Sequence, residues 1–538
     1  MRMFLFRAGI IGLLLLLLMP ADFVSARQQD QEAKGTILFI PQDNRPTSCE
    51  QTADTVRNLG YNVIMPDKAL LGGLSEPGDA EKLWQWTKEQ AHSADMAVIA
   101  TDSLLYGGLV ASRKHEIPPE VLQERSAWLS ELHKKNKRLK IYAFTSLMRT
   151  PRNGQASGGE EPDYYITYGE KIFQYTALMD KAESKGLSEE ESQMLSRLGE
   201  KIPKNILENW LDRRRCNLAA TKNLIDTVAK GKIEYLLVGK DDNASLSQTH
   251  RESRWLQEYA QNIPVEKFRL VAGIDEFAML LMTRAVNQWE KRTPTVAVFY
   301  NRGKGRDTIP TYSDERISDT LQTDIQVSAG SLVKNPVLAD FVLFVNTNPD
   351  GVTGEANHVR LWEQPPHNNG QDRFGTRSFF KQLKSMLMAG CPVGIADIAF
   401  TNGADNALMR HLEEEDLLFR LRSYSGWNTS TNSLGFALGQ GLLAAYMPQE
   451  KANELLLTRY LDDWGYQSNV RTTMAMEIEK LSNPMVYLYL GDYERTMEEE
   501  ASERLQQFAR EHLPQLKAPE RIRVRFPWHR MFIAEIKY

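Results

Sequence analysis

Residues Glu234–Asn243 read EYLLVGKDDN. An apolar run from Tyr235 to Val238 stops at Gly239 and then presents two adjacent carboxylates, Asp241 and Asp242. Short, continuously apolar runs are what strands buried on both faces look like. One that ends on a glycine and an acid brings charged groups to one rim of a parallel sheet. The same punctuation recurs on either side of this stretch. FIPQDN carries Asp43, VIATDS carries Asp102, LVAGIDE carries Asp275 and Glu276, and VGIADI carries Asp397.

Eight main strands are expected, beginning near residues 36, 96, 140, 234, 268, 295, 341 and 393, with a shorter one at 62–65. Helical patterns separate them, so the fold class is α/β, read as a (β/α)8-type barrel over residues 35–440 with Asp241 and Asp242 after the fourth strand. The alternative is two doubly wound α/β domains meeting near residue 290, with ligands at the switch points of the sheets. Residues 163–230 are helical throughout, too long for an ordinary barrel connection, and read as an inserted helical subdomain. Residues 441–538 form a C-terminal region of helices ending in a small β element, where Arg521–Arg525 alternates.

The N-terminus reads as a signal peptide over residues 1–26. Arg2 and Arg7 precede the apolar stretch Ile10–Met19, and Val24-Ser25-Ala26 supplies small residues before Arg27. The apolar stretch is short for a membrane span, and no cysteine near the cleavage point suggests a lipid anchor. Residues 27–34 are a polar spacer. The expectation is a secreted, extracytoplasmic protein that meets a membrane only through its leader. At 538 residues with a net charge of −5, the chain has no basic excess pointing to nucleic acid. Cys49, Cys216 and Cys391 allow at most one disulfide.

Adjacent carboxylates disfavour joint ionisation, so one of Asp241 and Asp242 can become a general acid near neutral pH. Such a pair on a sheet rim suits glycoside hydrolysis, whereas a single Asp there could instead cap the next helix. Asp275 and Glu276 form a second pair, able to bind sugar hydroxyls or to cap the helix that follows. Asp43, Asn44 and Arg45 at the first strand end, and Asp102 at the next, can bind substrate hydroxyls or hold Arg149, which lies beyond the strand starting near 140. Asp397 and Asn402 share one turn with Asp405. Trp427 and Asn428 combine an aromatic face with an amide, a mixture that fits a sugar cleft or a buried turn. The sequence contains no GxSxG elbow, no HExxH and no phosphate-binding GxxxxGK[ST] loop. His358 and His367, the closest histidine pair, are nine residues apart.

Six segments together resemble a bacterial domain-of-unknown-function family, DUF4127: QDNRP (42–46), DSLLYGGLVASR (102–113), GKDD (239–242), GIDE (273–276), DIAFTNGAD (397–405) and SGWNTSTNSLG (425–435). The resemblance implies a shared architecture over nearly all of the mature chain. Ile274 departs from the small residue expected in GIDE. Asp241 and Asp242 are more loosely similar to the acid pair of the adjacent-acid N-acetylhexosaminidases. That likeness implies a substrate-assisted reaction in which one acid orients an acetamide and the other protonates the leaving oxygen.

The expected function is a secreted glycoside hydrolase acting on amino-sugar or cell-wall glycans, with Asp241 and Asp242 catalytic and no cofactor. A carbohydrate-binding protein without turnover is the second reading. The third is a metal-dependent hydrolase using Asp43, Asp102 and Asp241 as oxygen ligands.

Overall fold

The computed structural model describes residues 33–153, 158–356, 368–478 and 488–538, with Lys480 and Val486. The expected signal peptide, most of the spacer, and both His358 and His367 lie outside the described residues.

Six strands pair in parallel: β1 (Thr36–Ile40), β2 (Asn62–Ile64), β3 (Met96–Ala100), β4 (Lys140–Leu147), β5 (Tyr235–Lys240) and β6 (Phe268–Ala272), in the order β2-β1-β3-β4-β5-β6. A second parallel sheet holds β7 (Thr295–Tyr300), β8 (Ser331–Leu332), β9 (Phe341–Asn346), β11 (Val393–Asp397) and β13 (Ser423–Ser425), in the order β13-β11-β9-β7-β8. Between their strands lies a two-residue pairing of β10 (Gly354–Glu355) with β12 (Phe400–Thr401). Counted from its own first strand, each sheet has the order second, first, third, fourth, fifth, and the first sheet adds a sixth. The topological switch therefore falls between β1 and β3 in one sheet and between β7 and β9 in the other.

The eight runs expected to form one ring are thus hydrogen-bonded as two sheets among the described residues, with the division between Ala272 and Thr295. The physical reason is carried by two helices. Phe277–Trp289 is buried at eleven of its thirteen positions, and Ser430–Ala444 is buried along its whole length. A helix that is apolar all round must be covered all round. These two form an inner layer: one core contains Phe39, Val98 and Tyr142 of the first sheet, Leu280 and Leu438 of the helices, and Phe341 and Leu343 of the second sheet. Their contact is close, because a Cβ at Gly435 would stand 2.5 Å from Glu276 Cγ and one at Gly439 2.8 Å from Met279 Cγ. Barrel helices, by contrast, show one face to solvent.

The outer faces are covered separately. Leu38, Ile99, Ala143 and Leu236 of the first sheet pack against Leu83, Leu129 and Leu224, and Phe344 and Ile395 of the second pack against Leu383, Leu408 and Leu505. Helices Tyr164–Ser184, Glu189–Lys201 and Lys204–Ala229 fill the connection from β4 to β5. The C-terminal region supplies helices Gln449–Arg459 and Glu494–His512, a wide π-helical stretch at Tyr460–Val470, and an antiparallel ribbon of β14 (Arg523–Arg525) with β15 (Glu535–Lys537). All three cysteines are free thiols. No helix among the described residues is long and apolar enough to cross a membrane.

Candidate functional site

The rim residues of the first sheet separate into two clusters. At the β1/β3 switch, Arg45 is held by two carboxylates from distant parts of the chain. Its Nη2 lies 2.7 Å from Asp43 Oδ2 and 2.6 Å from Asp275 Oδ1. Gln42 and Asn428 also donate to Asp275. Trp528 lies under the guanidinium at 4.9 Å and donates from Nε1 to Asn44 Oδ1 at 2.7 Å. Asp43, Arg45 and Asp275 are all buried. A buried ion pair is costly to assemble and costlier to break, so this cluster has the character of a clamp. It ties the N-terminal strand to the loop before helix Phe277–Trp289 and to the C-terminal segment.

The second cluster surrounds the acid pair. Arg113 Nη2 reaches Asp241 Oδ2 at 2.5 Å, and Arg149 Nη1 reaches Asp242 Oδ2 at 2.7 Å. Glu160 joins both arginines (2.8 Å to Arg113, 3.1 Å to Arg149) and also Arg530, at 2.6 Å. Glu161 accepts from Arg149 Nε at 2.7 Å. Burial opposes ionisation of Glu160, but Arg149, Arg530 and Arg113 outweigh it and hold the group well below the usual carboxylate range. Burial pushes Glu161 up. Asp242 is pushed up to about 6, first by desolvation and then by its neighbour Asp241.

Neither Asp241 nor Asp242 caps the next helix. Ser247 does, accepting from His250 N at 3.0 Å. Asp242 also takes a left-handed backbone, with φ +40°, which non-glycine residues adopt at an energetic cost. Its side chain is 23% exposed, whereas Asp241 is buried.

Other candidates are sealed. Asp102 is buried and accepts from Thr145 Oγ1 at 2.7 Å and Ser146 N at 3.1 Å; it does not hold Arg149. Desolvation pushes it up to about 6. Glu276 is fully buried and does not cap helix Phe277–Trp289 through its side chain. It folds back on the Ile274 N–H at 3.1 Å, and burial raises it well above the carboxylate range. Asp397 is fully buried, bonded by Tyr424 Oη at 2.7 Å and Asn346 Nδ2 at 2.9 Å. Trp427, read as lining a sugar cleft or filling a buried turn, is buried and stacked on Phe532 at 5.8 Å.

Asn44, Arg149, Asp242, Asn402 and Asn428 are the candidates that keep partial exposure. Asn402 N donates to Asn428 O at 2.9 Å, and the Asn402 amide reaches Glu355 Oε2 at 2.8 Å. The exposed ring of Tyr312 stands in the field of both Glu355 and Asp242. The Asn243 N–H next to Asp242 donates to Tyr312 O at 3.1 Å, which sets Tyr312 beside the acid pair. Arg113, Glu160, Glu161, Tyr312, Glu355 and Arg530 belong to this region but were not among the expected residues. Arg113 closes the DSLLYGGLVASR motif, the one sequence signal for any of them.

The three acids of a metal reading do not meet. The Asp43 carboxylate is bound by Arg45, that of Asp102 by Thr145 and Ser146, and that of Asp241 by Arg113. Among the described residues, no group of three His, Cys, Asp or Glu side chains is arranged to hold a metal ion.

Comparison with curated proteins finds no match. A family model described as "Protein of unknown function (DUF4127)" matches residues 37–537, spanning both sheets, the helical connection and the C-terminal ribbon, and the chain belongs to that family.

Proposed function

We propose that this protein is an exported glycoside hydrolase, with Asp242 as the general acid and an amino-sugar or cell-wall glycan as substrate. The observation that carries the reading is Asp242 itself. It joins partial exposure, a left-handed backbone and a carboxyl pushed up to about 6, beside a second carboxyl bound by Arg113. A strained acid whose protonation changes near neutral pH, at the end of a parallel strand, is equipped to protonate a leaving oxygen.

In this reading Asp242 gives its proton to the glycosidic oxygen as the bond to the anomeric carbon breaks. Asp241, held by Arg113, keeps a fixed orientation from which it can position an acetamide group. That group then serves as the internal nucleophile, as in substrate-assisted hydrolysis. Arg149 bonds Asp242 and can steady its carboxylate after proton transfer. Tyr312 offers an exposed ring for a sugar face, and Asn402 and Asn428 offer amides to hydroxyls. No cofactor is invoked, and the leader accounts for export.

One observation favours a binding protein without turnover: both members of the pair already have arginine partners, at 2.5 and 2.7 Å. The test is a screen of the chain from Arg27 on chromogenic β-N-acetylhexosaminides and purified peptidoglycan. Wild type would be run beside Asp241→Asn and Asp242→Asn. Turnover lost in Asp242→Asn at unchanged melting temperature supports the hydrolase. Glycan-dependent stabilisation with no turnover in any variant replaces it with the binding protein.

A further inference from the structure

An apolar hollow in the first half is lined by neither member of the acid pair. It is a cavity of about 500 Å³ between the segment Gly73–Glu81 and the segment Tyr106–Ile117. Its size is that of a small-molecule site. Both walls are built from glycine motifs that the proposed hydrolysis does not use, LGG (71–73) and YGG (106–108). These cross backbone to backbone: Gly78 N donates to Gly107 O at 2.7 Å, and a Cβ on Gly72 would fall 2.1 Å from the same oxygen. The walls are therefore held by main-chain contact, which favours a hollow that persists without ligand.

Leu74, Pro77, Ala80, Val110 and Ile117 supply the apolar lining, together with Tyr106, whose ring stacks on His115 at 4.9 Å. His115 brings no positive charge. Its Nδ1 accepts from Ile117 N at 3.2 Å, its other nitrogen faces Asn217 Oδ1 at 2.7 Å, and burial pushes its pKa down to about 4. Arg125 is committed to Glu81 and to the Leu105 carbonyl, and Asp79 pairs with Lys82. Among the charged lining groups this leaves the exposed Glu76 and Glu116, neither with an ion-pair partner among the described residues, against Lys114, whose ammonium is drawn to Gly159 O at 3.1 Å.

We infer that this cavity binds a small organic ammonium compound, its aromatic or alkyl body against Tyr106 and Val110 and its charge at Glu76 and Glu116. The six-residue helix Leu109–Lys114 carries the consequence. Val110, Ala111 and Lys114 line the cavity, while Arg113 of the same turns grips Asp241 and Glu160. An occupant that shifts this helix shifts the arginine that orients Asp241. The binding claim itself does not depend on the hydrolase reading.

Calorimetric titration of the purified protein with 2-phenylethylamine, 2-phenylethanol and 3-phenylpropionate tests it. Saturable binding of the amine is expected, with the alcohol and the acid at least about tenfold weaker, a difference of about 1.4 kcal/mol. The exposed double variant Glu76→Gln/Glu116→Gln is expected to weaken the amine by about tenfold or more, and Ala111→Phe to fill the cavity and abolish binding. Equal binding of amine and alcohol overturns the inference. So does amine binding unchanged in the double variant, or no saturable binding by any of the three up to millimolar concentration.

Discussion

Asp242 Oδ2 accepts a hydrogen bond from Arg149 Nη1 at 2.7 Å, although the two residues stand 93 positions apart in the chain. They meet because β4 and β5 are neighbours in register, with Leu147 opposite Lys240, so both residues leave the sheet at the same rim. Replacing Asp242 by Asn keeps the shape and removes the proton that the proposed reaction needs. We expect Asp242→Asn to lower kcat on an accepted glycan by about a hundredfold or more with little change in melting temperature. Steady-state kinetics beside a thermal melt would check it.

The pH profile of that activity follows from the same group. Asp242 is pushed up to about 6, and the acid form is the active one. Activity should therefore fall as pH rises through about 6, and kcat measured from pH 4 to 8 should show that limb. Retention of full activity at pH 8 would remove Asp242 from the acid role.

Asp102 gives a stability test with a worked sign. Burial raises its folded pKa to about 6, above the ordinary carboxylate value, so the folded state holds the proton more tightly than the unfolded chain. Its favourable contribution is complete below about pH 4 and is lost as pH rises through about 6, by an amount of the order of 3 kcal/mol. Asp102→Asn should be less sensitive to this rise. Urea unfolding of wild type and variant at pH 5 and pH 8 reads the upper part of this loss, about 1.4 kcal/mol, and an unchanged pH dependence would count against it.

Arg45 is the common partner of two buried acids. Arg45→Met removes it and leaves Asp43 and Asp275 without their cation. The expected loss is about 3–5 kcal/mol of folding free energy. Chemical denaturation would show it as a lower midpoint with little change in slope.

Trp427 separates a packing role from a sugar-binding role. It belongs to a small core with Val110, Trp528 and Ile533. Trp427→Ala should cost about 3–5 kcal/mol in stability, and any glycan affinity should survive at temperatures where the variant remains folded. An affinity loss with an unchanged melting temperature would restore the platform role.

Much of the rim was legible from local pattern. Apolar runs ending on glycine and acid mark buried parallel strands because a strand covered on both faces needs no polar alternation, and that requirement acts within five or six residues. The second and fifth strands of the second sheet, β8 and β13, show where this reading thins. SYS at 423–425 is too short and polar to announce β13, and only its pairing with Gly394–Ala396 makes it a strand. Trp427 meets a related limit: a tryptophan in a glycine-rich turn looks the same whether it faces water or Phe532.

By itself, then, the sequence determined a parallel α/β protein with carboxylates at strand ends, because strand burial and turn chemistry are local. The tertiary structure decided the rest. It divided the strands between two sheets, since helices Phe277–Trp289 and Ser430–Ala444 are covered only when a sheet lies on each side of them. It also decided which acids stay open. Asp275 is closed by Arg45 from 230 residues away and Asp241 by Arg113 from 128 residues away, whereas Asp242 retains a path to solvent. Such pairings depend on which rims are brought together, and no spacing along the chain records that.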